Sequence, residues 1–270
     1  MDITIHFGAH RCATTSFQEY LRHNAAVLAR QGIAVWGREE IRETGLSALR
    51  SVTPDICTAL QWDLDRHQDQ GVNHLLVTEE NFLGMMPENF SKGELYPNAG
   101  ARARLVSEAF GERVTKLVLN IRALNTYWTS VASYAVRNKK RFGGNMRWPK
   151  VAQHPRSWRD VITDLNAAFP QVPLLVLPFE EFAGRPDWQL ATVLDVPVPS
   201  DAVQLWINKD GNEDIQGPNS AQEMSLMMKF ADDLSWLESG ADGLARLCLR
   251  QETERGVDTP AVKMDERNTL

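Results

Sequence analysis

Nine consecutive residues, Gly8, Ala9, His10, Arg11, Cys12, Ala13, Thr14, Thr15 and Ser16, combine small side chains, three hydroxyls, an imidazole and a guanidinium. An apolar run from Ile3 to Phe7 leads into them. Phe17, Tyr20, Leu21, Ala25 and Leu28 follow at spacings of three and four. The pattern is a buried strand, a tight turn and a helix whose first turn holds the hydroxyls. A helix start offers backbone N–H groups without intrahelical partners and the positive end of the dipole, so it suits phosphate or sulfate. Arg11 adds a permanent charge, and the segment reads as an anion site. The plainer alternative is a strand–helix connection in which Thr and Ser only cap the helix.

Two further polar groups close strand-like runs. Glu79-Glu80-Asn81 follows His74–Thr78, and Arg122 follows Val114–Ile121. Ser130 lies eight residues beyond Arg122, about two helical turns. Ligands of open parallel sheets sit beyond the carboxyl ends of the strands, so the three groups are expected to converge there. Glu80, which follows a strand, is the first choice for a general base, and His10, inside the loop and of suitable unperturbed pKa, is the second. The alternatives are a structural Glu80 paired with Arg11 or Arg122, and a structural or solvent-facing His10. Arg122 could equally close a strand at the surface, and Ser130 could be a small residue that lets helices pack.

The elements needed to carry these groups alternate along the chain. Strands are expected at Ile33–Trp36 and Pro173–Leu177 in addition to those above. Helical character runs from Ile41 to Gln70, with Leu46, Leu49, Ile56, Leu60 and Leu64 as core positions. Further helices are expected over Ala101–Phe110, Leu124–Asn138, Trp158–Phe169 and Asp187–Leu194, and a long one from Ala221 to about Arg250. Residues 84–100 and 207–219, rich in Pro, Gly and Asn, read as loops. This alternation predicts an α/β fold, a three-layer sandwich with a mostly parallel central sheet and a helical C-terminal extension. Residues 1–200 would form the core, residues 201–250 would complete the same domain, and the charged tail 251–270 would be mobile.

At 43% hydrophobic and 24% charged residues in 270, the chain can bury an ample core. A net charge of −6 argues against nonspecific nucleic-acid binding but allows a small anion in a local basic pocket. Cys12, Cys57 and Cys248 are too scattered for a metal site or a disulfide framework, so they read as reduced thiols of a cytoplasmic protein. Cys12, beside Arg11 at a helix start, could have a lowered pKa, or could simply fill a tight turn. No signal-peptide pattern precedes the first strand and no apolar run reaches membrane-span length. His6 reads as a core residue. His67, His74 and His154 lack ligand spacing, so no metal is expected. The basic run Arg137–Arg141 and Lys209 could approach an anion, although a solvated helix end explains the run as well. Trp128 and Trp148 could meet a ring or simply pack.

Gly8 and the hydroxyls are spaced as in a Walker A loop, with Ala13 in place of its second glycine and Thr14 in place of its lysine. The chain resembles the sulfotransferase family more closely, in particular its compact bacterial members. Phe7–Gln18 matches a pattern of the type Gly-x-x-Lys-Thr-Gly-Thr-Thr-Ser-Leu-Gln. Val118-Leu119-Asn120-Ile121-Arg122 with Ser130 looks like the strand-ending Arg and helical Ser that grip the cofactor's 3′-phosphate. Leu75–Asn81 is similar to a Ser-Glu-Asn element. The resemblance spans residues 3–138 and fades beyond Leu177.

It implies a P-loop NTPase-like fold and transfer of a sulfuryl group from 3′-phosphoadenosine 5′-phosphosulfate (PAPS) to a hydroxyl or amine of a small-molecule, lipid or saccharide acceptor. The loop Gly8–Ser16 would bind the 5′-phosphosulfate, using N–H groups of residues 10–15, and Arg122 with Ser130 would clamp the 3′-phosphate. Arg11 replaces the family's lysine. Its guanidinium cannot donate a proton as lysine can, so it would act as a fixed charge on the leaving phosphate. The other readings are a P-loop kinase-like phosphotransferase and a degenerate nucleotide-binding module. The long final helix could pair with a second copy of the chain as a homodimer.

Overall fold

The computed structural model describes residues 1–46, 52–138, 145–196, 205–206, 216–250 and 262–263. Six strands form one sheet: β1 (Asp2–His6), β2 (Ile33–Trp36), β3 (His74–Thr78), β4 (Val114–Ile121), β5 (Leu174–Pro178) and β7 (Arg246–Leu247), in the order β2-β3-β1-β4-β5-β7. Every pairing in it is parallel. Two short strands, β6 (Leu205–Trp206) and β8 (Val262–Lys263), pair separately.

Side chains alternate across the sheet with the period of two that a strand imposes. Ile3, Ile5, Leu75, Val77, Leu117 and Leu119 join the core on one face, whereas Leu76, Val118, Leu175 and Leu177 join that on the other. Helices cover both faces, as parallel sheets require. The fold is therefore the expected α/β sandwich, with a wholly parallel principal sheet.

The chain runs from β1 through α1 (Thr14–His23) and α2 (Ala25–Arg30) to β2. It then returns through α3 (Arg38–Glu43) and α4 (Pro54–Asp69) to β3, and crosses to β4 on the opposite side of β1. The strand order thus reverses between β1 and β4, the kind of point beyond whose carboxyl ends open parallel sheets hold ligands. The helical stretch expected over Ile41–Gln70 is two helices, and Leu49 lies outside the described residues.

Residues 84–100 are not a loop. They contain α5 (Met86–Lys92) and the start of α6 (Ala99–Phe110). Pro87 sits in the first turn of α5, and Gly93, left-handed at φ 58°, ends it, so the two punctuating residues bound a helix. Next come α7 (Leu124–Arg137), α8 (Trp148–Gln153), α9 (Trp158–Ala168), α10 (Phe179–Phe182), α11 (Pro186–Leu194) and α12 (Ser220–Glu238).

The final helix is shorter than its periodicity suggested. It ends at Glu238, before the left-handed Gly240, and the chain turns back to add β7 beside β5. Leu226, Phe230, Trp236 and Leu237 of α12 belong to the larger core, so this helix is part of the helical layer. Among the described residues no helix is long and apolar enough to cross a membrane.

Candidate active site

The turn after β1 is shaped by three left-handed residues: Gly8 at φ 71°, Arg11 at 65° and Ala13 at 60°. At Gly8 a Cβ would lie 2.7 Å from Thr14 Cγ2 and 3.2 Å from Glu80 Cβ, so glycine is required by space as well as by conformation. Ala13 keeps the left-handed geometry at a cost of roughly 1–2 kcal/mol, so replacing glycine there leaves the path of the turn intact. The ladder continues into the turn, with Phe7 N–H on Val118 O at 2.9 Å and Asn120 N–H on Gly8 O at 2.7 Å. α1 begins at Thr14, where no side-chain cap closes the helix start.

Of the N–H groups assigned to an anion cradle, two are committed elsewhere. His10 N–H donates to the Tyr96 hydroxyl at 2.8 Å and Cys12 N–H to Ala9 O at 3.2 Å. The cradle is therefore smaller than the span 10–15. Cys12 is buried. Burial pushes its thiol far above the ordinary range despite the attraction of Arg122 and Arg11, which corrects the idea of a lowered pKa. It fills the turn.

The three polar groups do converge. Arg122 follows β4 and donates from Nη1 to the Arg11 carbonyl at 2.8 Å and from Nε to the Thr126 hydroxyl at 3.1 Å, its guanidinium 4.2 Å from the Phe179 ring centroid. Arg11 donates from Nε to the Ser130 hydroxyl at 2.8 Å and lies 5.4 Å from the Tyr134 ring centroid. The loop arginine thus reaches the serine that sequence reasoning grouped with Arg122.

From the other side, the Glu80 carboxylate accepts a hydrogen bond from Thr14 and lies 3.9 Å from His10 Nε2. His10 is buried, with Nδ1 3.0 Å from the Tyr96 hydroxyl, so it is a fastened ring and not a solvent-facing one. Glu79 accepts from Asn81 N–H at 2.8 Å and Asn81 Nδ2 at 2.6 Å, and burial pushes its carboxyl upward. It holds the turn that aims Glu80.

Tyr96, Thr126, Tyr134 and Phe179 escaped the sequence reading. Thr126 stands midway between Arg122 and Ser130 at intervals of four, a helical spacing that could have found it. Tyr96 reaches His10 across the fold and carried no such signal. Trp148 sends its indole N–H to Gln216 O at 2.7 Å, and Trp128 is buried against Tyr127, so both pack. Residues 139–141 of the basic run and Lys209 lie outside the described residues. A cavity of about 640 Å³ at the opposite end of the sheet is lined in part by Lys116, Pro173, Ala245 and Arg246 and is remote from these groups.

The arrangement sets two permanent cations and a helix start beside the partly open Glu80 carboxylate. Such a site can hold an anionic group and accept a proton next to it. Among solved structures, the chain is similar to that of a sulfotransferase from Alicyclobacillus acidocaldarius, at 15% identity and a TM-score of 0.49, over 94% of this chain and 99% of that one. No protein-family model matches the chain. No curated protein matches it either.

Proposed function

We propose that this protein transfers a sulfuryl group from 3′-phosphoadenosine 5′-phosphosulfate to an acceptor hydroxyl or amine. The observation that carries this reading is the bond from Arg122 to the Arg11 carbonyl, joined to the bond from Arg11 to Ser130. It puts the residues that would serve both phosphates of the donor in one cluster at the β1/β4 reversal. The α1 start and Arg11 would receive the phosphosulfate end. Arg122 and Ser130 would receive the 3′-phosphate.

In the reaction the acceptor oxygen or nitrogen attacks sulfur as the bond from sulfur to the leaving phosphate oxygen breaks. The acceptor proton passes to Glu80. Arg11 keeps its proton and stabilises the leaving phosphate by charge alone. Thr14 stands where a phosphotransferase loop would carry lysine, and its hydroxyl is turned to Glu80, which disfavours a kinase-like reading. A binding module without turnover is favoured by one fact, that Arg11 Nε is already taken by Ser130, but the guanidinium keeps its fixed charge whatever it is bonded to.

Calorimetric titration with 3′-phosphoadenosine 5′-phosphate, adenosine 5′-phosphate and ATP with magnesium tests the proposal. The expected result is binding of the bisphosphate about tenfold or more tightly than either other ligand, as one added charged contact implies. Equal affinities, or preference for ATP, would overturn it.

A further inference from the structure

Arg122 sits where the β4 ladder ends, so its own carbonyl needs a partner from outside the sheet. A carbonyl left unpaired in so crowded a corner would be costly. The partner is Trp158, whose indole N–H donates to Arg122 O at 2.7 Å. Trp158 is fully buried, its ring 5.5 Å edge-on to Tyr127 and 6.2 Å from Tyr96. The same Tyr96 holds His10 in the loop.

Trp158 is itself held at the first turn of α9 by a carboxylate from another helix. Asp233 of α12 accepts from the Ser157 hydroxyl at 2.6 Å, from Trp158 N–H at 3.0 Å and from Arg159 N–H at 3.4 Å. A carboxylate at a helix start satisfies orphan N–H groups and is favoured by the dipole. Here it also sets the rotation of α9, and with it the height of the indole N–H. On the far side of the corner, Ala123 N–H donates to Glu180 Oε1 at 2.9 Å. The corner 122–123 is therefore pinned by its backbone from both flanks, and the guanidinium hangs from that fixed point.

We infer that Trp158 is a positioning residue for the second anion subsite: its indole N–H fixes the Arg122 carbonyl and hence the placement of the Arg122 guanidinium, while Asp233 keeps Trp158 in register. The inference rests on the reading that Arg122 receives the donor's 3′-phosphate. Removing the indole N–H while keeping an aromatic ring should loosen that one contact and leave the loop end of the site unchanged.

The test is the ratio of affinities for 3′-phosphoadenosine 5′-phosphate and adenosine 5′-phosphate, by calorimetry, in the wild type and in Trp158→Phe. The expected result is a ratio about fivefold smaller in the variant, the size of one lost hydrogen bond, with affinity for adenosine 5′-phosphate within about twofold of wild type. A merely structural role would weaken both ligands alike. An unchanged ratio, or equal losses, overturns the inference while the wild-type preference for the bisphosphate still stands. A wild type without that preference overturns the functional reading, and the inference falls with it. Should Trp158→Phe lack a cooperative thermal transition, Asp233→Asn decides by the same ratio. It keeps the indole and loosens the start of α9, so a reduced ratio supports the inference and an unchanged one overturns it.

Discussion

Histidines 6 and 10 lie one turn apart in the chain and have unlike surroundings. His6 points from β1 into the sheet face covered by α1 and α11, fully buried, with Nδ1 2.8 Å from the Thr78 hydroxyl, Nε2 2.5 Å from Asn120 Oδ1 and Gln189 Nε2 3.2 Å away. All these partners are neutral, and burial lowers its pKa to about 4. His10 lies past the strand end, between the Tyr96 phenol and the Glu80 carboxylate, in a turn shared with Arg11. The first cluster knits β3, β1 and β4 to α11. The second gathers charges beyond the strand ends. The difference teaches that polarity alone does not mark a site; formal charge at the strand ends does.

The comparison breaks most visibly on acidification. The folded protein holds His6 neutral down to about pH 4, whereas the unfolded chain takes up the proton near 6.5. The unfolded state therefore binds more protons between those values, so His6 contributes stability that is complete above pH 6.5 and is lost as the pH falls towards 4. The expected loss is about 3 kcal/mol. Burial pushes the carboxyls of Glu79 and Asp233 upward, which acts in the opposite sense. The His6 share is thus the difference between wild type and His6→Asn in urea unfolding across this range. Parallel pH curves for the two proteins would refute it.

The charged cluster should respond in the complementary way. Arg122→Ala is expected to weaken binding of 3′-phosphoadenosine 5′-phosphate about a hundredfold, roughly 2–3 kcal/mol, for loss of a charged donor. Its urea midpoint should change little. Calorimetry beside a denaturation curve checks both halves. A variant that loses stability and keeps affinity would exchange the roles of the two clusters.

Much of this was legible in the sequence, for physical reasons. Alternating apolar runs and helical periods follow from burial, so β1 to β5 and the longer helices between them, α1, α4, α6, α7 and α9, could be read. That these polar groups meet could be read because strand ends are where parallel sheets present ligands. What escaped depends on distant partners. β7 is two residues long, and its pairing beside β5 needs the Cys248 N–H to Val176 O bond, so no periodicity announces it. α5 was hidden by Pro87 and Gly93, residues that bound a short helix as readily as they mark a loop. Tyr96 reaches His10 from a left-handed position at φ 45°, which its residue type gives no reason to expect.

Two smaller substitutions sharpen the boundary between the clusters. Gly8→Ala sets a methyl against Thr14 and forces a left-handed alanine, so a stability loss of about 1–2 kcal/mol is expected. Thr14 would also be pushed off Glu80, so affinity for adenosine 5′-phosphate should fall with stability. Unchanged urea and binding curves would mean that the turn is looser than its contacts imply.

Ser130→Ala has the smallest expected effect and the finest resolution. It removes the acceptor 2.8 Å from Arg11 Nε, yet Arg11 still lies against the Tyr134 ring and keeps its charge. One hydrogen bond of this kind is worth about 1 kcal/mol, so affinity for the bisphosphate should drop roughly threefold to fivefold. If Ser130 serves the 3′-phosphate, adenosine 5′-phosphate should lose much less, because it lacks the group the hydroxyl would meet. Equal losses for both nucleotides would instead make Ser130 a prop for Arg11, and Arg122 with Thr126 would hold the second subsite without it.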